Sequence, residues 1–374
     1  MITISPTPAI CARRLIQSFL IGVYSVLCAI AAFGAQPNYV VVDLTATSGG
    51  AIGTKSNPAN VLNATRATWW TGIAPIDLHP AWLLGSRESK SAIQGSDSNL
   101  QVGWGMGVNT RMQLAPIVWH GTAQSAAFLA VPFTTYAAQG LGTDGVQIVG
   151  FATTRNGQNG GLDHALIWNA TNGMAIDLGT GGNGAQALAV ARGQQAGFTT
   201  RSSGRVATIW SGTAESQIVL HPRNGAITSE IMGTNGIRQV GFCSFDTEVA
   251  DEATRARITK RVNKAYVWDA TVASARSIHP ASFTQSYATS INGSSIVGYA
   301  YKGYESGILA TYRAILWNSR LQPIDLNAFL PADFIGAIAN SIDAEGTIAG
   351  TIFTQDGTRH AALWIPEGKL ESRK

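Results

Sequence analysis

"HALIWNATNGMAIDLGT", residues 164–180, returns in altered form as "RAILWNSRLQPIDLN", residues 313–327. Both run a basic residue or His, Ala, two apolar residues, Trp, a short polar turn, then an apolar pair around Asp-Leu. Anchoring on that Trp extends the pattern to Trp70, Trp119, Trp168, Trp210, Trp268, Trp317 and Trp364, at intervals of 49, 49, 42, 58, 49 and 47 residues. Three residues before each Trp stands Ala67, Pro116, Ala165, Ala207, Ala265, Ala314 or Ala361. A second anchor keeps step with the first. Gly53, Gly103, Gly150, Gly197, Gly241, Gly298 and Gly350 each precede one of the Trp residues. Two anchors recurring together are the mark of a repeat architecture, which governs every later inference about the chain.

Each repeat reads as short strands joined by hairpins. "HALIW" alternates sides, "NATNG" after it is turn chemistry, and "MAIDLG" is the next strand. No helical period of any length appears. Four strands at a period near 47 residues predict an all-β, seven-bladed β-propeller; a parallel β-helix is the alternative, with coils that are shorter and more even. The Trp residues are expected to pack between neighbouring blades. The last repeat ends soon after "HAALWIPEG" without an Asp-Leu strand, whereas the N-terminal region begins with one, "YVVVDL" at 39–44. That segment is therefore expected to complete the seventh blade and close the ring. Gly53 follows Leu44 by only nine positions, so the first blade is expected to be short of a strand.

"HALIWNATNGMAIDLGTGGNGAQALAV" and "HAALW" resemble the bacterial extracellular HAF-type repeats, and the likeness covers nearly all of residues 39–366. In the first the signature's third letter is Leu166 and in the second Ala362; elsewhere the His slot carries Arg66, Ala115, Val206, Lys264 or Arg313. The resemblance implies an exported propeller-like repeat protein and no particular activity.

Residues 1–35 differ in kind from the rest. Arg13 and Arg14 precede an apolar run, Leu15 to Ala32, followed by small residues around Gly34 and Ala35. That plan predicts a secretory signal over 1–35, a single propeller domain over 36–366 and a polar tail over 367–374. Removal of the leader lowers the formal net charge from +4 to +2. The basic balance thus reflects a scarcity of charge, 13% of residues against about 25% in ordinary domains, and no basic face for nucleic acid is expected. No membrane span is expected after residue 35, and the chain is expected to act as a monomer in the periplasm or outside the cell. Cys11 and Cys28 fall in the leader, so Cys243 in "VGFCSF" is left without an intramolecular disulfide partner and reads as a buried thiol.

The segments predicted to line the axis, such as "SAIQG", "YAAQG", "QALAV" and "SEIMG", carry among acids and bases only Glu230 and, in repeat 7, Asp343. Acid–base hydrolysis needs paired carboxylates at a controlled separation. Asp343 before Glu345-Gly346 reads as turn chemistry. Asp43, Asp77, Asp177 and Asp325 recur at one place in different repeats, which spreads them around the rim. They are expected to accept hydrogen bonds from the backbone or from His164 and His360. His79, His221 and His279 each precede Pro and occupy equivalent places, which excludes convergence on one metal. No catalytic residue, metal site or cofactor is predicted. The "GTGGNG" at 179–184 leads into a strand, so it lacks the context of a phosphate-binding loop.

One stretch breaks the pattern. Residues 244–264, "SFDTEVADEATRARITKRVNK", lengthen the fifth repeat and carry four acids followed by five bases. They read as a solvated hairpin extension with room for one helical turn. The following "YAYKGYESGILATY" at 299–312 brings four tyrosines. Arg255, Arg257, Lys260, Tyr301 and Tyr304 are therefore the candidate ligand contacts, suited to an extracellular glycan or protein. The expected function is binding or scaffolding. A propeller-type hydrolase or lyase acting on extracellular polysaccharide is the alternative from another class, and a purely structural surface repeat is the third.

Overall fold

A computed structural model describes residues 38–44, 66–71, 74–83, 89–155, 161–250, 256–304 and 309–369. Among them the regular elements are strands and short 3-10 turns. Six sheets hold four antiparallel strands each. Repeat 2 gives Lys90–Asp97, Leu100–Met106, Ala115–Trp119 and Ala127–Phe128; repeat 3 gives Thr135–Thr143, Gln147–Thr154, Asp163–Asn169 and Ala175–Asp177. Repeat 4 supplies Ala185–Ala191, Gln194–Arg201, Gly204–Trp210 and Ile218–Val219. Repeat 5 supplies Thr228–Thr234, Gln239–Ala250, Arg257–Trp268 and Arg276–Ser277. Repeat 6 follows with Gln285–Asn292, Ser295–Tyr301, Arg313–Trp317 and Pro323–Asp325. Repeat 7 has Phe334–Ile342, Ile348–Thr354 and Arg359–Pro366, and its fourth strand comes from the other end of the chain. Tyr39–Asp43 runs antiparallel along it, Tyr39 opposite Pro366 and Asp43 opposite Ala362. First strands of successive repeats lie side by side, so the sheets follow one another around an axis as the blades of a β-propeller.

Seven four-stranded blades were expected and six are present among the described residues. Repeat 1 contributes a two-stranded sheet, Thr68–Thr71 on Ala74–Asp77. Residues 45–65, which hold the Gly53 anchor, fall outside the described residues. The leader expected over 1–35 and residues 370–374 of the tail also fall outside them.

The second-strand glycine has a geometric cause. Each first strand carries a bulge, for example between Ile231 and Gly233, and beside it a carbonyl leans onto the second strand. A Cβ on Gly103, Gly150, Gly197, Gly241 or Gly298 would stand 1.9–2.0 Å from the carbonyl oxygen of Ala92, Gln139, Gln186, Glu230 or Tyr287. Gly350 meets Ile338 in the same way at 2.1 Å. Only glycine leaves that carbonyl its room.

The Trp anchor is inter-blade packing. Trp119, Trp168, Trp210, Trp268, Trp317 and Trp364 are completely buried, each against apolar residues of the preceding repeat. Trp210, for instance, covers Val149, Ile167 and Leu178 of repeat 3. Five indoles also donate across the gap: Trp119 to the Leu78 carbonyl (2.7 Å), Trp168 to Ala130 (2.5 Å), Trp268 to Leu220 (2.9 Å), Trp317 to Ile278 (2.7 Å) and Trp364 to Leu326 (3.2 Å). Trp210 is the exception, its buried N–H without an acceptor.

The residue three before each Trp faces a second demand, because its buried backbone N–H needs an acceptor. Ala67, Ala207 and Ala265 donate to the hydroxyls of Ser91 (3.0 Å), Ser229 (2.8 Å) and Ser286 (2.8 Å) on the next repeat's first strand. Each hydroxyl lies 2.7–2.8 Å from the Nδ1 of His79, His221 or His279. The Nε2 of His221 and His279 donates to the carbonyls of Ala226 and Phe283, both at 3.1 Å, so Nδ1 is the acceptor and the serine O–H donates to it. Burial pushes all three histidines below the ordinary imidazole range, which favours the neutral ring. Where the serine is absent, another group replaces it. Ala314 donates to Asn327 Oδ1 (2.8 Å), standing where other repeats have His. Ala165 donates to the Gly179 carbonyl (3.2 Å). In repeat 2 the residue is Pro116, which has no N–H, and Ala138 follows in place of serine.

Candidate binding face

Because the strands are antiparallel, second strands end and first and third strands begin at the same end of the propeller. The long connection of repeat 5 projects there. Its second and third strands stay paired as far as Ala250 opposite Arg257, whereas in repeat 4 the pairing ends at Arg201 opposite Gly204. Over its described residues the extension is a continuous ladder, in keeping with the alternation of "DTEV" and "RITKRV", and the tip at 251–255 lies outside the described residues. The alternation shows in burial: Asp246, Glu248, Thr259 and Arg261 are exposed, while Thr247, Val249, Ile258 and Lys260 are half-buried. Asp246 pairs with Arg261 at 2.5 Å and Glu248 with Arg257 at 2.7 Å. Both are solvated ion pairs of the kind that contributes about 0–1 kcal/mol.

Of the five candidate contacts, Arg257 and Tyr304 are exposed and Lys260 is half-buried on the opposite hairpin face. Arg255 lies outside the described residues. Tyr301 is corrected: the strand Ser295–Tyr301 runs further than a loop reading allows and turns the ring inward, to 5% exposure. It stacks on Tyr312 with centroids 4.7 Å apart, and burial pushes its phenol well above the ordinary range. Tyr287, Tyr299 and Tyr312 belong to the same column, which runs from Phe242 in repeat 5 to Phe353 in repeat 7. These rings join blades, with Tyr299, Tyr301 and Tyr312 buried in the column and Tyr287 half-buried at its side.

Beside the hairpin the same end carries polar pairs that bridge successive blades. Gln186 Nε2 donates to Asp163 Oδ2 (2.7 Å), Arg205 Nη1 to Glu230 Oε1 (3.1 Å), and Asn263 Nδ2 to the Tyr287 hydroxyl (2.5 Å). Asp163, Arg205 and Asn263 each stand five residues before a Trp, while Gln186, Glu230 and Tyr287 each follow a buried Ala or Ser of a first strand. Burial pushes the Glu230 carboxyl up, and the Arg205 charge opposes it. Sequence reading singled out Glu230 alone. The signal it missed was the five-before-Trp position, which is polar in repeats 3, 4 and 5.

The remaining expected groups serve the frame. His164 Nδ1 lies 2.8 Å from Asp177 and His360 Nδ1 lies 2.7 Å from Asp43; Arg66 pairs with Asp77, and Arg313 stands 3.7 Å from Asp325. The recurring Asp residues are thus spread among blades with a basic partner each. Asp343 accepts the backbone N–H groups of Glu345 (3.0 Å) and Thr347 (2.7 Å), as turn chemistry requires. Cys243 is buried, and desolvation pushes its thiol up. An open cleft of about 450 Å³ lies between Ala332–Ile335 and Thr354–His360 on repeat 7, lined by Asp333, Asp356 and His360.

No protein-family model matches the sequence, and no curated protein is similar to it. Solved structures resemble the fold at a distance. The β-propeller domain of the Trilobed protease from Pyrococcus furiosus is 12% identical, over 73% of this chain and 82% of that one, with a TM-score of 0.46. Acylaminoacyl peptidase from Pyrococcus horikoshii is 14% identical, over 74% of this chain and 45% of that one, with a TM-score of 0.45. TolB from Acinetobacter baumannii is 8% identical, over 73% of this chain and 65% of that one, with a TM-score of 0.39. The chain spans less than two thirds of the length of the last two. What it shares with the first of them is the β-propeller fold.

Proposed function

We propose that this chain is an exported, monomeric binding module whose ligand, a glycan or a protein, rests on the end of the propeller that bears the repeat 5 hairpin. The observation that carries the reading is the asymmetry of that end. One connection out of the described set continues as a charged ladder past its neighbours, and the polar inter-blade pairs stand beside it. The opposite end has tight turns such as Gly145, Gly193 and Gly293. A charged, overhanging edge beside half-buried polar groups is what recognition needs and what blade packing alone does not. The leader-like residues 1–35 support export, and the HAF-type repeats support a place in the periplasm or outside. The ring is read as seven blades. Support comes from the two strands of repeat 1, which correspond to the outer half of a blade, and from the pairing of Tyr39–Asp43 with the last repeat.

The test is to trim residues 246–262 to an Asn-Gly turn and compare binding to a printed glycan array and to solubilised envelope proteins. The fold should survive, since long and short surface loops differ by only about 0.6 kcal/mol per doubling of length. Retention of ligand should fall sharply. Undiminished binding by a folded, trimmed chain contradicts the assignment of the face.

A further inference from the structure

The polar pairs on this face have more order than a set of chance contacts. They occur in three successive blade interfaces, at one level, with partners separated by 23, 25 and 24 residues. The first strands that carry Gln186, Glu230 and Tyr287 are neighbours around the axis, and Gln139 holds the same position one repeat earlier. At either side the position turns apolar and buried, Ala92 in repeat 2 and Ile338 in repeat 7. The polar positions therefore form an arc of four with two ends.

Two of the bridges use one part of a side chain and leave another open. Gln186 is held through its amide nitrogen and Glu230 through one oxygen; Gln186 Oε1 and Glu230 Oε2 accept no bond from the described residues. The side chain of Gln139 likewise makes none. All four arc residues are half-buried, so their open atoms are fixed in direction by packing while still reachable. A half-buried aromatic ring lies next to them: Phe242 meets Tyr287 edge-on at 5.0 Å.

Charge decides what fits. Asp163 and Glu230 repel an anion, and the half-exposed Arg205 repels a cation. What the open amide and carboxylate oxygens select is a neutral molecule rich in O–H donors, with C–H surface for the ring edges. We propose that Gln139, Gln186, Glu230 and Tyr287, braced by Asp163, Arg205 and Asn263, bind a neutral oligosaccharide. The assignment rests on the reading of this end as the binding face and narrows it to one ligand class and one set of residues.

The test uses the full chain, expressed with its leader, on a printed array of neutral and acidic oligosaccharides, followed by titration of the strongest neutral hit. Gln139→Ala is the cleanest variant, because it breaks no internal bond; Gln186→Ala and Tyr287→Phe accompany it. Each should weaken the neutral saccharide about 3–10-fold, the value of one hydrogen bond, while Gln139→Ala leaves the melting temperature unchanged. A neutral hit bound equally well by all three variants overturns the arc. So does an array on which the chain retains only acidic glycans or none. Loss of binding on trimming 246–262, with the arc variants unaffected, would overturn the arc and leave the face standing. A ligand indifferent to both sets of changes would remove both.

Discussion

Replacing Ser286 by Ala tests the blade junction at its most exposed point of logic. The hydroxyl is fully buried, accepts from Ala265 N–H at 2.8 Å and donates to His279 Nδ1 at 2.7 Å. Ser286→Ala strands a buried donor and a buried acceptor, and each such group costs about 1–3 kcal/mol. Repeat 6 shows how the same junction is satisfied without serine: Asn327 stands in the His place, Ala337 in the Ser place, and Asn327 Oδ1 takes the Ala314 N–H directly. The double variant His279→Asn/Ser286→Ala copies that solution into the neighbouring interface. Urea unfolding of the parent, both single variants and the double variant is the assay. Ser286→Ala should lose about 2 kcal/mol, and the double variant should recover half of that or more. A double variant as unstable as the sum of its two single changes would refute the reading of these residues as one exchangeable unit.

The same histidines predict a pH effect. Their folded affinity for protons is depressed, so the unfolded chain binds more protons below its own imidazole range, near pH 6.5. Stability should be level above about pH 7 and fall on acidification, by up to about 1.4 kcal/mol per pH unit for each histidine. Urea midpoints at pH 7.5 and 5.5 measure this, and the slope should shrink in His279→Asn/Ser286→Ala. Gly241→Ala places a Cβ 1.9 Å from the Glu230 carbonyl oxygen and should cost about 3 kcal/mol or more, read as loss of soluble, folded chain. Trp268→Phe should cost about 1 kcal/mol more than Trp210→Phe, because only Trp268 gives up an indole hydrogen bond. Deleting residues 36–45 uncovers Arg359–Pro366 as a strand edge and should cause aggregation or a marked fall in melting temperature; a shift of a few degrees would contradict that role for the N-terminal strand.

What was legible in the sequence was what the repeat enforces locally. The Trp, the Gly and the strand alternation recur because every blade must bury the same ring and clear the same bulged carbonyl. The Asp-Leu strand at 39–44 could be matched to a missing partner for the same reason. The polar arc was not legible, since Asp163 and Gln186 meet across two blades, 23 residues apart, and neither is unusual alone. Tyr301 was misplaced because its neighbours Lys302 and Gly303 look like loop, while one more strand residue was enough to turn the ring inward. In the hairpin the charges drew attention, yet four of the six described ones pair with one another across the ladder.

Site-directed blocking tests the central claim, that ligand binds on the hairpin end. Cys243 is buried, so in a chain begun at residue 36, which lacks Cys11 and Cys28, a single introduced cysteine can be labelled alone with a bulky polyethylene glycol maleimide. Thr259→Cys puts the label on the exposed hairpin face, and Ser294→Cys puts it on an exposed turn at the opposite end. Binding of the strongest array ligand should be lost on labelling Thr259→Cys and kept on labelling Ser294→Cys. Loss confined to labelled Ser294→Cys would contradict the account.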